Sequence, residues 1–586
     1  MSTPVLSGNP LVINTTLPAP QVDPKVTALS DDRFLVVWTD TSATGGDRSG
    51  DAIRGQILHA DGTPAGAEFL VNTRTNGNQT QPSVTALANG GFVVTWTTAT
   101  GSTGSDGNGS AIKAQVFGSN GAKVGGEFLV NSLTVFSQTQ SSVTALADGG
   151  FAVVFQTPGG TGALEKMGLR TFDADGTPRG GEVNYPLGNL TTQRLPDITQ
   201  LGNGNLLMVW QRSETSLVGN HDTSQTGIHA RIVTAAGAVV TANFGVNTTT
   251  AGAQTEAAVA TLAGGGFVVA WSDGSGASAD TAGQAIRAQM FTDAGAMAGG
   301  ELLVNTTTAG SQNQPAIVGL SDGRFLIAWT DGSLGADQDI RAQLFNANGT
   351  LSGGELLVNV ASATGNQIAP SVAELSDGRI MVSWADGVSG DIAGQIIDPR
   401  EAAISFDGTA GADIAVGTRF ADLLNGQNGQ DRLYGGLAKD TLNGGLGNDM
   451  LWGDGGIDRL VGGAGADTLD GGLGTDRLTG GLGADRFVFA VAPGAKHADV
   501  ITDFAPGQDV IALSAAVFTK AGAIGTLSNG RFASGAAALD AQDRILHDST
   551  TGQIWYDPDG TGAKDKQLFA TITAGVNLTA ADFEIF

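Results

Sequence analysis

The sequence predicts an all-β protein whose first part is a seven-bladed β-propeller and whose second part is built from a much shorter repeat. Two observations predict this fold class. A unit of about 58 residues recurs from residue 1 to about 400, and a period of nine residues replaces it from residue 408 onward. With 586 residues, the chain is also too long for one ordinary hydrophobic core, so a repeat architecture or several domains are expected.

Each copy of the long unit predicts four short strands. An alternating run such as SVTAL meets a second run such as GFVVTW across an NG or DG turn, which is a strong hairpin signal. A third run (AIKAQVF, DIRAQLF) follows a loop rich in Gly, Asp and Ser, and a fourth ends in EFLVN or ELLVN. Four antiparallel strands per unit are typical of propeller blades, which bury an aromatic anchor between neighbours. The anchors are Trp38, Trp96, Phe155, Trp210, Trp271, Trp329 and Trp384.

The two ends of the long repeat predict that the ring closes. The seventh copy runs into QIIDPREAAI without an EFLVN strand, and a matching LVIN segment instead lies at residues 11–14. A strand from the N-terminal segment that completes the last blade leaves the ring without open edges. We therefore assign residues 1–400 to the propeller. A string of small β-sandwiches is the alternative, although a unit of about 58 residues is small to fold alone.

From residue 408, one aspartate recurs every nine residues without a slip, and a large apolar residue follows most of them two positions later. Ala415 in the first copy is the exception. Gly in the first six positions of a unit allows positive φ and turns backbone carbonyls inward, and carbonyls with carboxylates supply the oxygens that a hard cation requires. The aspartates are Asp413, Asp422, Asp431, Asp440, Asp449, Asp458, Asp467, Asp476 and Asp485. The apolar residues are Leu424, Leu433, Leu442, Leu451, Leu460, Leu469, Leu478 and Phe487.

This pattern resembles the RTX (repeats-in-toxin) family, whose unit is G-G-x-G-x-D-x-U-x, where U is a large apolar residue. The resemblance covers about 80 residues and implies a parallel β-roll over 401–490 that binds several calcium ions. It also implies that carbonyls at the second and fourth positions and the Asp carboxylate of one turn share a cation with the neighbouring turn on the same side. Besides the nine aspartates, the implied ligands are Gly436, Gly445, Gly447, Asp454, Gly456, Gly463, Gly465, Gly472, Gly474, Gly481 and Gly483.

Some copies depart from the family pattern. Phe420 stands where the last turn glycine belongs in the second copy, and Ala438 stands there in the fourth. Calcium is therefore expected above all at the turns from 444 to 485, and less at 417–440. A flexible Gly/Asp linker is the alternative, but linkers do not space leucines nine residues apart.

The segment after the repeats resembles the C-terminal module that follows RTX rolls in proteins exported by type I secretion, such as serralysin-like proteases. DVITDFAPGQDVI (499–511) and a C-terminus of DF followed by apolar residues carry this resemblance. It implies an uncleaved C-terminal export signal, the type I secretion apparatus as a partner, and a capping and secretion module over 491–586. The alternating strands near Ile554–Tyr556 and Leu568–Ile572 are expected to cap the open end of the roll.

Charge and composition exclude several classes of partner. Acids outnumber bases 57 to 30, for a formal net charge of −27, which argues against nucleic acid and anionic membranes and for cations or hydroxyl-rich surfaces. The chain has no Cys, so disulfides and thiolate metal sites are excluded. The first residues lack a basic region and a long apolar run, and no stretch is apolar enough to span a membrane. We expect a secreted protein, extracellular or associated with the cell surface.

The propeller shows no catalytic motif. The five histidines are scattered, and HExxH, GxSxG and Walker patterns are absent. His221 and His229 are expected to be ordinary surface residues. The leading hypothesis is therefore a non-enzymatic propeller that binds a surface or matrix polysaccharide or protein. The rival is a polysaccharide-active enzyme. Copies three and four are the divergent ones, and Glu214 and Asp222 of the fourth copy are the first residues to test.

Weaker cation or glycan sites are candidates in two places. In the propeller, an aspartate recurs two residues after the anchor Trp, on one rim of the ring, and a second acid follows it. A crown of weak calcium or glycan sites is one interpretation, and turn chemistry, in which Asp accepts hydrogen bonds from backbone amides, is the other. The same two interpretations hold for the YDPDGTGAKD segment of the tail. The candidates are Asp40, Asp273, Asp331, Asp386, Asp557 and Asp559.

Overall fold

The computed structural model describes most of the chain and divides it into two compact units, Met1–Arg400 and Glu401–Phe586. Among the described residues both units consist of β-strands and loops, with two short 3-10 helices and no α-helix. None of these residues forms a helix that is long and apolar enough to span a membrane. The described ranges are 3–16, 19–44, 46–99, 109–134, 136–157, 166–185, 192–213, 226–276, 282–333, 337–360 and 365–586.

The first unit contains seven antiparallel four-stranded sheets, each a blade, after a first strand β1 (Val5–Val12). Blade 1 consists of β2 (Gln21–Ala28), β3 (Phe34–Asp40), β4 (Ala52–Leu58) and β5 (Phe69–Leu70). Blade 2 consists of β6 (Gln79–Ala86), β7 (Phe92–Thr98), β8 (Ala111–Phe117) and β9 (Lys123–Leu129). Blade 3 consists of β10 (Thr139–Ala145), β11 (Phe151–Thr157), β12 (Lys166–Phe172) and β13 (Val183–Tyr185). Blade 4 consists of β14 (Thr192–Gln200), β15 (Leu206–Ser213), β16 (Thr226–Val233) and β17 (Phe244–Gly245). Blade 5 consists of β18 (Gln254–Thr261), β19 (Phe267–Asp273), β20 (Ala285–Phe291) and β21 (Leu302–Leu303). Blade 6 consists of β22 (Gln312–Gly319), β23 (Phe325–Asp331), β24 (Asp339–Phe345) and β25 (Leu356–Leu357).

Blade 7 is completed by the first strand. Its sheet has the order β1-β28-β27-β26, with β26 (Gln367–Glu374), β27 (Ile380–Asp386) and β28 (Ile392–Asp398). Leu11 lies opposite Gly394, and the N–H of Ile13 donates to the carbonyl of Ile392 at 2.8 Å. Each blade has one inner strand, which contacts the inner strands of the two neighbouring blades. The inner strands are β2, β6, β10, β14, β18, β22 and β26, and the contact between β26 and β2 closes the ring. The predicted seven-bladed propeller is confirmed.

The aromatic anchors hold the blades against each other. Trp96 of blade 2 is 1% exposed and packs with Leu35 and Val37 of blade 1. Trp271 of blade 5 packs with Val209 of blade 4 in the same way. The second strand of a blade, such as β3, is buried along its whole length because it has neighbouring strands on both sides and neighbouring blades on both faces.

The second unit is a roll whose two main sheets alternate along the chain, with a third, three-stranded sheet formed by β33, β36 and β39. Its strands, in chain order, are β29 (Ser405–Asp407), β30 (Ile414–Val416), β31 (Leu423–Asn428), β32 (Arg432–Tyr434), β33 (Leu437–Ala438), β34 (Thr441–Leu446), β35 (Met450–Trp452), β36 (Gly455–Gly456), β37 (Arg459–Ala464), β38 (Thr468–Asp470), β39 (Leu473–Gly474), β40 (Arg477–Leu482), β41 (Arg486–Phe489), β42 (Asp499–Ile501), β43 (Val510–Leu513), β44 (Gly525–Thr526), β45 (Phe532–Ser534), β46 (Ile545–Asp548), β47 (Gln553–Tyr556), β48 (Gln567–Thr571) and β49 (Phe583–Ile585). The 3-10 helices are Asn529–Arg531 and Ala580–Asp582.

One turn of the roll takes two nonapeptide units. Strands pair in parallel with partners 18 residues away, so that Leu442 lies opposite Leu424 and Leu460. The apolar residues of successive units, from Leu424 to Phe487, are fully buried in one continuous core. The predicted parallel roll is therefore confirmed.

The residues after the repeats continue both sheets of the roll. In one sheet, β42 pairs in parallel with β40 and then with β48, and the antiparallel strands β47 and β46 follow. In the other, β43 pairs with β41 and β49. Ile511, Phe569 and Phe583 join the leucine core. The strands near Ile554–Tyr556 thus lie at the end of the roll where the sequence predicts a cap.

Candidate functional site

The nine repeat aspartates form two columns, each preceding the strands of one sheet. The columns are Asp413, Asp431, Asp449, Asp467 and Asp485, and Asp422, Asp440, Asp458 and Asp476. From Asp422 onward, Oδ1 of each aspartate accepts a hydrogen bond from the backbone N–H of the residue 18 positions earlier. The N–H of Asp440, for example, donates to Oδ1 of Asp458 at 2.8 Å. One oxygen of each carboxylate therefore fixes the register between turns.

The other oxygen, Oδ2, is buried without a hydrogen-bond partner in seven of these aspartates. Burial, reinforced by neighbouring aspartates, raises the pKa of Asp431 to about 6 and the pKa values of Asp440, Asp458 and Asp467 to about 7. An unpaired buried anion is strongly unfavourable, and a hard divalent cation that prefers oxygen ligands would neutralise it. The residues present therefore fit calcium. The seven unpaired oxygens belong to Asp431, Asp440, Asp449, Asp458, Asp467, Asp476 and Asp485.

The glycine at the first position of each unit makes room for this oxygen. A Cβ on Gly444 would lie 2.4 Å from Oδ2 of Asp449 and 2.6 Å from the carbonyl oxygen of Gly462, one turn later. Gly462 has the same relation to Asp467 and to Gly480. The unpaired carboxylate oxygen and a carbonyl oxygen of the next turn thus flank one Cα. These first-position carbonyls were not predicted, although glycine at this position in all nine copies is the signal that points to them.

The glycines predicted as carbonyl ligands lie where successive turns approach most closely. Gly445 has φ +112°, and a Cβ there would lie 2.0 Å from the carbonyl oxygen of Gln427, one turn earlier. A Cβ on Gly456 would likewise overlap the carbonyl oxygen of Ala438. The other predicted positions that share positive φ are Gly436, Gly447, Asp454, Gly463, Gly465, Gly472, Gly474, Gly481 and Gly483.

Two further aspartates extend the columns beyond the repeats. Asp499 accepts the N–H of Asp476 at 3.0 Å, and Asp509 accepts the N–H of Asp485 at 3.0 Å. Burial and the neighbouring Asp476 raise the pKa of Asp499 to about 9. Neither was predicted, because they follow their partners by 23 and 24 residues instead of 18.

Of the rim aspartates of the propeller, Asp40, Asp273 and Asp331 are buried and Asp386 is half-buried, and all four accept hydrogen bonds. Oδ1 of Asp40 accepts hydrogen bonds from Gln21 and from the N–H of Ser42, and Oδ2 pairs with Nε of Arg54 at 2.5 Å. Burial alone would raise the pKa of Asp40, but the bonds from Ser42, Arg54 and Gln21 outweigh it, so the pKa lies below its usual value. Arg54 also pairs with Glu68 at 3.0 Å. Equivalent triads join Asp273, Arg287 and Glu301, and Asp331, Arg341 and Glu355.

Asp386 in blade 7 has no arginine opposite it, since Ala393 occupies that position across from Trp384. Its Oδ1 instead accepts hydrogen bonds from Gln367 and from the N–H of Val388. The contacts of all four rim aspartates match the turn interpretation of the sequence. Three of the second acids accept a hydrogen bond from the Asn that follows an outer strand: Asp47 from Asn72, Asp339 from Asn359 and Asp391 from Asn14.

The prediction that His229 is a surface residue is wrong. His229 is 2% exposed and stacks on Trp210, with 6.4 Å between ring centroids. It occupies the position that Arg54 and Arg287 hold in their blades, directly across from the anchor Trp. That alignment of copies was the signal that could have shown its burial. His221, Asp280 and the enzyme candidates Glu214 and Asp222 lie outside the described residues.

A cavity of about 450 Å³ lies among the inner strands of the propeller. Every inner strand carries a bulge at one residue with φ between +50° and +57°, followed by Pro in five blades. The side chains at these bulges tie neighbouring blades together: Leu195 N–H donates to Gln140 and Ala369 N–H to Gln314, both at 3.0 Å. The seven bulge residues are Asp23, Gln81, Gln140, Leu195, Glu256, Gln314 and Ala369.

One aspartate among the residues that line this cavity is bonded to the two neighbouring blades. Asp197 accepts hydrogen bonds from the hydroxyl of Ser142 at 2.7 Å and from the N–H of Val259 at 3.0 Å, so it joins three blades. Burial raises its pKa, and the charge of Lys25 opposes that shift. Lys25 is exposed within the cavity lining. The lining therefore offers amides, hydroxyls, one ammonium and carboxylates to a polar ligand.

In the tail, Asp557 and Asp559 form a tight turn. Oδ1 of Asp557 accepts the N–H groups of Asp559 and Gly560, and Oδ2 of Asp559 accepts the N–H of Lys564. Across the described residues, no three acidic or histidine side chains converge on one point. Cation binding at this turn stays a prediction.

Comparison with known proteins places the second unit. A family model described as the RTX calcium-binding nonapeptide repeat matches four times, at residues 407–442, 416–451, 431–460 and 452–487. The search of curated proteins gave no match.

Several solved structures match this chain at low identity. An ulvan lyase of polysaccharide lyase family PL25 is 11% identical, with a TM-score of 0.46 over 67% of this chain and 96% of that chain. A protein of unknown function from Dyadobacter fermentans is 11% identical, with a TM-score of 0.40 over 67% of this chain and 99% of that chain. The GH93 alpha-L-arabinofuranosidase of Fusarium graminearum is 11% identical, with a TM-score of 0.38 over 67% and 98%. At these values the likenesses say nothing about activity.

The match to the repeat family agrees with the aspartate columns, the glycine cradles and the leucine core. Residues 407–487 of this chain are RTX calcium-binding nonapeptide repeats, which follow a seven-bladed β-propeller.

Proposed function

We propose that this is a secreted calcium-binding protein whose roll folds on calcium after export and whose propeller binds an extracellular ligand. The single observation that carries the calcium role is the set of seven buried Oδ2 atoms without partners. When calcium is bound it neutralises these oxygens and links neighbouring turns.

The side chains of the roll prepare this binding. Oδ1 of each aspartate is held by the backbone of the previous turn, as in the bond from Asp431 N–H to Asp449 at 2.9 Å. This bond leaves Oδ2 beside the first-position glycine. Without a cation, the stacked carboxylates repel each other and the roll cannot offset its ordering entropy. Binding free energy therefore becomes folding free energy.

Export before folding agrees with the same residues. In a chain with a net charge of −27, a roll whose carboxylates are not neutralised stays extended at low calcium, which suits passage of this part of the chain through a narrow secretion channel. The tail that resembles a type I secretion module supports this route. Extracellular calcium at roughly millimolar levels is the range in which extracellular modules bind.

Hydrogen-exchange mass spectrometry of the full chain tests the calcium role. In calcium, the peptides that cover β31–β41 are expected to be protected. In chelator, the same peptides should exchange freely, while β3 and β19 of the propeller keep their protection. Protection of β31–β41 that does not depend on calcium would contradict the proposal.

The cavity among the inner strands supports the propeller's role as a binding module. Its volume falls in the range of small-molecule and oligosaccharide sites, and its lining offers Lys25, Asp197, Glu256 and Gln314 as polar groups. Such a lining suits a hydroxyl-rich ligand, so we favour a surface or matrix polysaccharide, with a protein as the second choice. Binding without catalysis is the function we propose.

A glycan array probed with the full chain tests this role, together with a hydrolysis screen on the polysaccharides that bind. Lys25→Ala is expected to weaken binding, while Lys564→Ala in the tail serves as the control and should leave it unchanged. Release of sugar fragments by the unaltered protein would replace the binding role with an enzymatic one.

A further inference from the structure

The first two repeat units differ from the other seven in how their aspartates are bonded. In Asp422, Oδ1 accepts the hydroxyl of Thr418 at 3.2 Å and the N–H of Ile404, and Oδ2 accepts the N–H of Thr418. In Asp413, Oδ2 accepts the N–H of Thr409 at 2.6 Å and its hydroxyl at 3.1 Å. Neither carboxylate has the unpaired buried Oδ2 that marks the aspartates from Asp431 to Asp485.

The backbone φ angle at the second position of the unit also distinguishes the first two units from the other seven. In the seven later units this residue has positive φ, even where it is not glycine: Gln427 has φ +77° and Asp454 has φ +63°. Thr409 and Thr418 occupy the second position of the first two units and are absent from the residues with positive φ. A non-glycine residue with positive φ is strained, and its persistence points to a functional constraint.

The two differences have one physical cause. With ordinary negative φ at the second position, the N–H of the threonine meets the carboxylate of its own unit, and the hydroxyl adds a second donor. A carboxylate that accepts two or three such bonds is satisfied. A cation would have to displace these donors and would face the positive end of an N–H bond, so calcium gains little there.

We infer that the loops of the first two nonapeptide units are closed by Thr409 and Thr418 without calcium, and that the cation sites begin at Asp431. Asp413 and Asp422, predicted as ligands from the repeat pattern, are thus structural caps on the first edge of the roll. The inference rests on the proposed function, because it divides the roll into turns that bind calcium and turns that do not.

Calcium stoichiometry of the full chain tests this division, measured by equilibrium dialysis with elemental analysis at saturating calcium. The variant Asp413→Asn with Asp422→Asn is expected to retain the calcium content of the unaltered protein. The matched control, Asp449→Asn with Asp458→Asn, changes one aspartate in each column and is expected to lose bound calcium. An equal loss in both double variants would overturn the inference while leaving the calcium role of the roll intact. No calcium bound by the unaltered chain would instead overturn the proposed function.

A second variant tests the backbone cause directly. Thr409→Gly with Thr418→Gly allows positive φ at both positions and removes both hydroxyls. We expect this variant to bind more calcium than the unaltered protein, because Asp413 and Asp422 lose their donors. Unchanged calcium content in this variant, with hydrogen exchange showing that β31–β41 remain folded, would show that the threonines do not set the boundary.

Discussion

Buried aspartates in the propeller and in the roll differ in what compensates their negative charge. Asp40 and Asp449 are each 1% exposed. Asp40 lies against Arg54, a cation supplied by the same blade, whereas Oδ2 of Asp449 has no partner. A buried carboxylate requires a compensating charge. The difference teaches that the propeller carries its own cations while the roll must take them from solution.

The largest expected effect is that thermal unfolding occurs in two transitions, one for the roll and one for the propeller. Because calcium binds only the folded roll, each site adds about 2.7 kcal/mol when calcium is a hundredfold above its Kd. Differential scanning calorimetry should show one transition that moves to higher temperature with calcium and one that does not. A single transition that moves as a whole would contradict the contrast between the two regions.

The next largest effect on stability is expected from removing Arg54, the cation that compensates the buried carboxylates of blade 1. Arg54→Met leaves Asp40 and Glu68 buried without compensation, which costs about 3–5 kcal/mol. The exposed pair Arg33–Asp31 provides the control, since Arg33→Ala should cost only about 0–1 kcal/mol. Denaturant unfolding followed in the calcium-independent transition measures both. Equal effects of the two substitutions would show that burial does not set the value of the triad.

A core substitution in the roll should affect only the other transition. Leu451 is fully buried, and Leu451→Ala is expected to cost about 2–5 kcal/mol. We expect the calcium-dependent transition to weaken and the propeller transition to stay unchanged. Met450→Ala, on the same strand but 39% exposed, is the matched control.

Protonation of the roll aspartates at low pH should partly substitute for calcium, and this is the smallest of the expected effects on stability. The folded-state pKa values of Asp440, Asp458 and Asp467 are raised to about 7, so protonation favours the folded roll. In chelator, the roll should be most stable below the usual aspartate pKa and should lose that stability as the pH rises through about 6 to 7. Circular dichroism in chelator across this range measures the loss. In calcium the sign reverses, because protons compete with the cation for the carboxylates.

Much of this contrast could be predicted from the repeats. The nine-residue spacing places Asp449 and Leu451 correctly, because a strict period requires each copy to lie in the same environment. Asp499 could not be found by that rule, since a longer connection carries it to the same column. The bulges of the inner strands were also missed, because the φ +57° of Gln81 depends on bonds between blades that a single copy does not show.

His229 illustrates a different limit. The loop before it suggests an exposed residue, whereas the alignment of the copies and its pairing with Trp210 in β15 place it in the buried strand. Residues in the two divergent blades carry the least regular sequence, so copy-to-copy comparison says least about them.

The strand that closes blade 7 has a consequence for the timing of folding. The bond from Ile392 N–H to Asn14 joins residues 378 positions apart, and contacts of such long sequence separation form slowly. The ring cannot be completed until residues near 398 have left the ribosome, and its closing step pays a large loop-closure entropy. Slow closure keeps the chain open for longer, which agrees with the proposed export before folding.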